Sequence, residues 1–189
     1  LYTVGTNTLT FSAIETAIGG SNNDIFNISG SRTINLNGGL GNDQFVFANS
    51  AMLNGTMDGQ GGNDTLDLQV YANGLGVTLT AAGSTDGMNG LVTAVLPAFS
   101  NVDILLGSTS ATNDTLTGAN FDATWHLYDG INNQYAIGVQ TLTFSYVEYV
   151  TGGSGGDIFQ VAAGATINLF IDGGSGSDTI DYSAYVTDV

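Results

Sequence analysis

Short apolar pairs, two residues apart, recur along this chain. Phe26 and Ile28, Phe45 and Phe47, Leu66 and Leu68, Phe159 and Val161, and Ile180 and Tyr182 occupy matching places after a glycine-rich turn. Period two puts each pair on one face of an extended strand. Asn27, Val46, Asp67, Gln160 and Asp181 lie between the members, mostly polar and expected to face outward. Helical periodicity is almost absent, and β-branched and aromatic residues dominate the patterned runs. The pattern predicts an all-β chain with little or no α-helix.

The pattern repeats on two scales. Leu9-Thr10-Phe11-Ser12 returns as Leu142-Thr143-Phe144-Ser145, 133 positions on. The same offset carries Asp24-Ile25-Phe26 onto Asp157-Ile158-Phe159. A looser copy runs from Phe99 through Val102-Asp103 to Asn113-Asp114. This divides one continuous stretch, 1–189, into modules at about 1–98, 99–133 (degenerate) and 134–189. Within a module, turns close on Asp24, Asp43 and Asp64, spaced 19 and 21 apart, and on Asp157 and Asp178, again 21 apart. Two short strands and two turns fill roughly 20 residues. The spacing predicts a parallel β-solenoid with about that many residues per coil, right-handed by the usual preference of parallel crossovers. The steps from Asp64 to Asp114 and on to Asp157 read as about two coils each.

Composition narrows the partners. Seventeen acidic residues stand against a single basic one, Arg32, for a formal net charge of −16. That charge repels nucleic acid and anionic membrane and suits cations or neutral sugars. Yet 42% of residues are hydrophobic and only 10% charged, unlike a disordered acidic tail. The 28 glycines imply many tight turns, and with no cysteine there are no disulfides. No run of 18 apolar residues exists, so a transmembrane segment is not expected. The start at Leu1 and the stop within a patterned segment suggest a piece of a longer protein.

The turns read Gly-Gly-Leu-Gly-Asn-Asp (38–43), Gly-Gln-Gly-Gly-Asn-Asp (59–64), Gly-Gly-Ser-Gly-Gly-Asp (152–157) and Gly-Gly-Ser-Gly-Ser-Asp (173–178), with Gly-Gly-Ser-Asn-Asn-Asp (19–24) a near match. They resemble the Gly-Gly-x-Gly-x-Asp nonapeptide of the RTX family of bacterial secreted proteins. Thr179–Tyr185 and Phe144–Gly153 also look like segments of large bacterial adhesins. The resemblance implies secretion or display on a bacterial cell surface. It also implies Ca²⁺ held between stacked turns by Asp24, Asp43, Asp64, Asp157 and Asp178 and by Gly38, Gly41, Gly59, Gly152, Gly155, Gly173 and Gly176. Carbonyls and carboxylates are hard ligands suited to that ion. The family carries two motifs per coil and this chain about one, so one edge of the stack would bind. Asp114 lacks the glycines, and no site is expected there. The alternative is turns without metal, because Asn and Asp bond their own backbone and stacked Asn residues form ladders.

Catalysis finds little support. His126, flanked by Asp122 and Asp129, is the only histidine. Asp67 and Asp181 could form a glycosidase pair but repeat with the module. Tyr146, Tyr149, Tyr182, Tyr185 and Trp125 either stack on sugars or fill the core. Thr8, Thr10, Thr78, Thr80, Thr141 and Thr143 give Thr-x-Thr steps at irregular offsets. The expected role is a structural or adhesive segment of an extracellular filament or surface protein, assembling lengthwise with itself. A calcium-dependent module binding surface glycans is the second expectation, and a polysaccharide-active enzyme the third. The natural ligand stays open at this point.

Overall fold

The structure, a computed structural model, describes residues 2–4, 7–9, 13–110, 113–129 and 131–185. The described residues hold strands and turns and no helix. In chain order the first strands are β1 (Tyr2–Val4), β2 (Asn7–Leu9), β3 (Thr16–Ile18), β4 (Ile25–Ile28), β5 (Ser31–Arg32), β6 (Asn35–Leu40) and β7 (Gln44–Phe47). Then follow β8 (Met52–Leu53), β9 (Thr56–Gly61), β10 (Thr65–Asp67), β11 (Gly76–Ala82), β12 (Met88–Val92), β13 (Leu96–Val102) and β14 (Ile104–Leu106). The last are β15 (Thr115–Thr117), β16 (Ala123–Leu127), β17 (Asn133–Ile137), β18 (Gln140–Ser145), β19 (Tyr149–Thr151), β20 (Asp157–Val161), β21 (Phe170–Asp172) and β22 (Thr179–Asp181).

Two mixed sheets share these strands. The first is 11-stranded, in the order β2-β1-β4-β7-β10-β14-β18-β17-β16-β20-β22. The second is 9-stranded, in the order β21-β19-β15-β11-β12-β13-β9-β6-β3. The chain passes from the second sheet to the first at β3–β4, β6–β7, β9–β10, β13–β14, β15–β16, β19–β20 and β21–β22. Short β5 and β8 pair on the return side.

Two antiparallel meanders interrupt this alternation. β11 lies three strands from β9, and β12 and β13 fill the gap, so that β13 pairs parallel with β9. β16, β17 and β18 repeat the move in the first sheet, and β18 lands beside β14. The β17–β18 link is Gly138-Val139, with Gly138 at φ 63. The spacing implies plain coils between Asp64 and Asp157; the chain there runs back and forth instead.

Alternation within the strands sets the core. β4 and β7 bury every second residue. Phe26, Phe45, Leu66, Leu105 and Phe144 stand in register across parallel strands. The Phe26 and Phe45 rings stack at 5.0 Å and 6°. Leu142, Tyr135, Trp125 and Phe159 continue the inner face. Leu36, Met57 and Phe99 answer from the second sheet. Each such side chain contributes about 1.5–3 kcal/mol on burial. Ile180 and Tyr182 match the apolar pattern but are exposed, because β22 is the last strand of its sheet. Thr10 and the Phe11-Ser12 part of the long repeat lie outside the described residues.

Candidate functional site

Every crossing from the second sheet to the first ends on aspartate: Asp24, Asp43, Asp64, Asp103, Asp122, Asp157 and Asp178. The first four form a ladder. Asp24 N–H donates to Asp43 Oδ1 at 2.8 Å, Asp43 N–H to Asp64 Oδ1 at 2.8 Å, and Asp64 N–H to Asp103 Oδ2 at 2.9 Å. Asp157 N–H donates to Asp178 Oδ1 at 3.0 Å. Each of these carboxylates therefore accepts the backbone N–H of the aspartate one crossing earlier. Asp24, Asp43, Asp64 and Asp157 are buried.

The other carboxylate oxygen packs on the glycine five residues back. A Cβ on Gly38 would sit 2.2 Å from Asp43 Oδ2 and 2.6 Å from the Gly59 carbonyl oxygen. On Gly59 it would sit 2.4 Å from Asp64 Oδ2 and 2.2 Å from the Asn101 carbonyl oxygen. Gly19 with Asp24, Gly152 with Asp157, and Gly173 with Asp178 repeat the contact. Three of the five turns take positive φ at their second and fourth positions, as at Gly39 (φ 112) and Gly41 (φ 110). Gly174 and Gly176 do the same, and Gln60 (φ 74) manages without being glycine. Gly155 has no such φ; its bare Cα lies against the Phe121 backbone.

A second ladder runs beside the first with opposite polarity. Asn42 N–H donates to Asn23 Oδ1 at 2.9 Å, and Asn63 N–H to Asn42 Oδ1 at 3.0 Å. Asp114 belongs to neither, because it lies on the return edge between β14 and β15. There its Oδ1 accepts Leu75 N–H at 2.8 Å, its Oδ2 accepts Ser108 N–H, and its own N–H donates to Glu148 Oε2 at 2.9 Å.

Stacked buried carboxylates make this edge strongly acidic. Burial pushes the Asp64 carboxyl up to about 7; the Asp43 N–H bond opposes this, and Asp43, Asp103 and Asp86 add to it. Burial likewise raises Asp103 to about 6. Asp43, Asp114 and Asp157 are also raised, each chiefly by burial. Arg32, in β5, bonds Ser29 and Ser31 instead. Asp43 Oδ2, Asp64 Oδ2 and Asp86 Oδ1 are buried without a hydrogen-bond partner.

The structure thus brings Asp24, Asp43 and Asp64 into one column and Asp157 and Asp178 into another on the same edge. Sequence reasoning missed Asp103 as the fourth member, although Val102-Asp103 had been aligned with the repeat. It also missed Asp86, carried by the β11–β12 loop, whose Oδ2 accepts Gly62 N–H at 3.2 Å. Among the described residues no three His, Asp or Glu side chains are grouped closely enough to hold a metal ion. Most of the ladder oxygens already accept a hydrogen bond from a backbone N–H.

Trp125 is fully buried, so it offers no sugar platform. It stacks on Phe159 at 5.5 Å and donates Nε1–H to Asp157 Oδ1 at 3.2 Å. Tyr146, Tyr149 and Tyr182 are exposed. His126 sits half-buried on the outer side of β16, between Gln134 and Gln160 in the ladder. No described helix is long and apolar enough to cross a membrane. Comparison with protein-family models, with curated proteins and with solved structures found no match.

Proposed function

We propose that this chain is a structural segment of a secreted or cell-surface bacterial protein, built as a parallel β-solenoid with two meanders set into it. The aspartate ladder carries this reading: the most distinctive polar side chains face neighbouring turns of the same chain, not an open cleft. Parallel pairing of β4, β7, β10, β14 and β18, and of β3, β6, β9 and β13, supports the solenoid. Nine strands at the usual spacing give a stack about 40 Å tall. Such a stack works by length and stiffness. The outer edges of β21 and β22 pair with nothing among the described residues and suit lengthwise contact with a further coil, whereas β1 and β2 cover β4. Electron microscopy at high protein concentration should show end-to-end rods. Only dispersed short particles would count against lengthwise assembly, and turnover of a polysaccharide would count against the non-enzymatic reading.

One observation favours a second role in glycan binding. On the outer face of the second sheet, Thr115, Tyr149 and Phe170 stand in register, beside Thr78, Thr117 and Thr151. Tyr149 and Phe170 are exposed, with ring centres 5.7 Å apart. Exposed aromatics beside hydroxyls suit a neutral sugar. Binding on a glycan array that Tyr149→Ala and Phe170→Ala abolish would support it; an array without hits would not.

A further inference from the structure

We infer that the glycine–aspartate turns hold one another directly and that the fold needs no calcium. Most of the carboxylate oxygens a calcium ion would take already accept a hydrogen bond, from the neighbouring turn or from their own. Oδ1 of Asp43, Asp64 and Asp178 accepts an aspartate N–H, and Asp103 does so through Oδ2. Both oxygens of Asp157 are engaged, by Trp125 Nε1–H and by Gly153 N–H at 3.0 Å. Asp24 Oδ2 accepts Gly20 N–H at 2.6 Å.

Several turn carbonyls accept a hydrogen bond as well. Gly20 O accepts Leu40 N–H at 3.0 Å, Gly61 O accepts Gly41 N–H at 3.0 Å, and Gly153 O accepts Ser175 N–H at 3.1 Å. The Gly38, Gly59 and Gly173 carbonyl oxygens rest against the bare α-carbons of Gly19, Gly38 and Gly152. Asp43 Oδ2 and Asp64 Oδ2 are buried and accept no hydrogen bond. Both lie where the Cα–H of Gly38 and Gly59 points, a weak C–H···O contact that recurs turn after turn. Asp43 and Asp64 thus each offer one carboxylate oxygen that accepts no hydrogen bond, against the six to eight oxygens that calcium takes.

These contacts also give the signature a role without a metal. Aspartate ends the turn because its carboxylate bridges to the preceding turn. Glycine stands five residues earlier because any side chain would strike that carboxylate. Asparagine precedes Asp24, Asp43 and Asp64 because it carries the second ladder. A resemblance in residue pattern to a calcium motif thus arises from a different use of the same residues.

The test is thermal melting of the whole chain, followed by circular dichroism, in chelator, in excess MgCl₂ and in equal CaCl₂. A site loaded at 1,000-fold its Kd would raise the melting temperature by roughly 8–16 °C. The inference expects calcium and magnesium to agree within about 2 °C; a larger calcium-specific rise overturns it. Asp43→Asn keeps the acceptor for Asp24 N–H, and Asp43→Ala removes it. The ladder requires Asp43→Asn to melt within a few degrees of the parent and Asp43→Ala well below it. Equal losses in the two variants would also overturn the inference.

Discussion

Gly38→Ala isolates the contact on which the ladder depends. Gly38 has ordinary φ, so alanine brings no backbone penalty of its own. Its Cβ would lie 2.2 Å from Asp43 Oδ2, 2.6 Å from the Gly59 carbonyl oxygen and 3.0 Å from Asp43 Cγ. One of those atoms is backbone held in a sheet, so the carboxylate must move. Moving it breaks the bond from Asp24 N–H, a buried bond to a charged group worth about 1.5–3 kcal/mol. Crowding adds about 1–3 kcal/mol. The variant should therefore lose about 2.5–6 kcal/mol, or roughly 5–24 °C in melting temperature at 2–4 °C per kcal/mol. Gly30→Ala is the matched control: Gly30 has φ 60 but nothing within 4 Å of a Cβ. It should cost about 1–2 kcal/mol from backbone strain alone. Urea unfolding of both variants and the parent measures the difference. If Gly38→Ala is as mild as Gly30→Ala, the carboxylate does not rest on the glycine and the explanation of the turn fails.

Three further outcomes follow from the same geometry. Asp64 has a folded-state pKa of about 7 against 3.8 for the free group, so the folded chain binds the proton more tightly. Its contribution is full below about pH 4 and is lost as pH rises through about 7, so the urea midpoint should climb from pH 8 to pH 5. Asp64→Asn should flatten that climb, and a midpoint that falls over this window would contradict the burial argument. Asp43→Ala leaves the buried Asp24 N–H without its acceptor and should cost about 1–3 kcal/mol, whereas Asn42→Ala, at an exposed bond to Asn63 N–H, should cost less than about 1 kcal/mol by the same unfolding assay. Trp125→Phe removes the indole N–H from Asp157 and shrinks a filled site, so it should lose about 2–4 kcal/mol; the parent's single tryptophan should emit as a buried indole until the chain unfolds.

Sequence legibility followed how local each interaction is. The strands after Asp24, Asp43 and Asp64 were readable because alternation of Phe26, Phe45 and Leu66 is a two-residue pattern. The shared edge was readable because its turns recur at 19 and 21 residues, the same separations that the ladder bonds span. The meanders were hidden because inward-outward alternation is the same for parallel and antiparallel partners. Val77 and Leu79 look alike whether β11 lies beside β9 or three strands away. Counting 50 residues from Asp64 to Asp114 as two coils therefore placed Asp114 on the wrong edge. The true fourth member, Asp103, comes 39 residues after Asp64.

Asp103 also shows what the glycine signature does and does not encode. It accepts from Asp64 N–H as its glycine-turn counterparts accept from their neighbours, yet Asn101 stands where the glycine against Gly59 would be expected. Asn101 takes the positive φ (52) itself, and its side chain bonds Asp58 at 2.7 Å and Thr85 N–H at 3.1 Å. The aspartate is thus the constant of the crossing, seven times in seven. Glycine is one of two ways to clear space for it. A search keyed on glycine finds the regular turns and misses the crossing where a side-chain network does the same job.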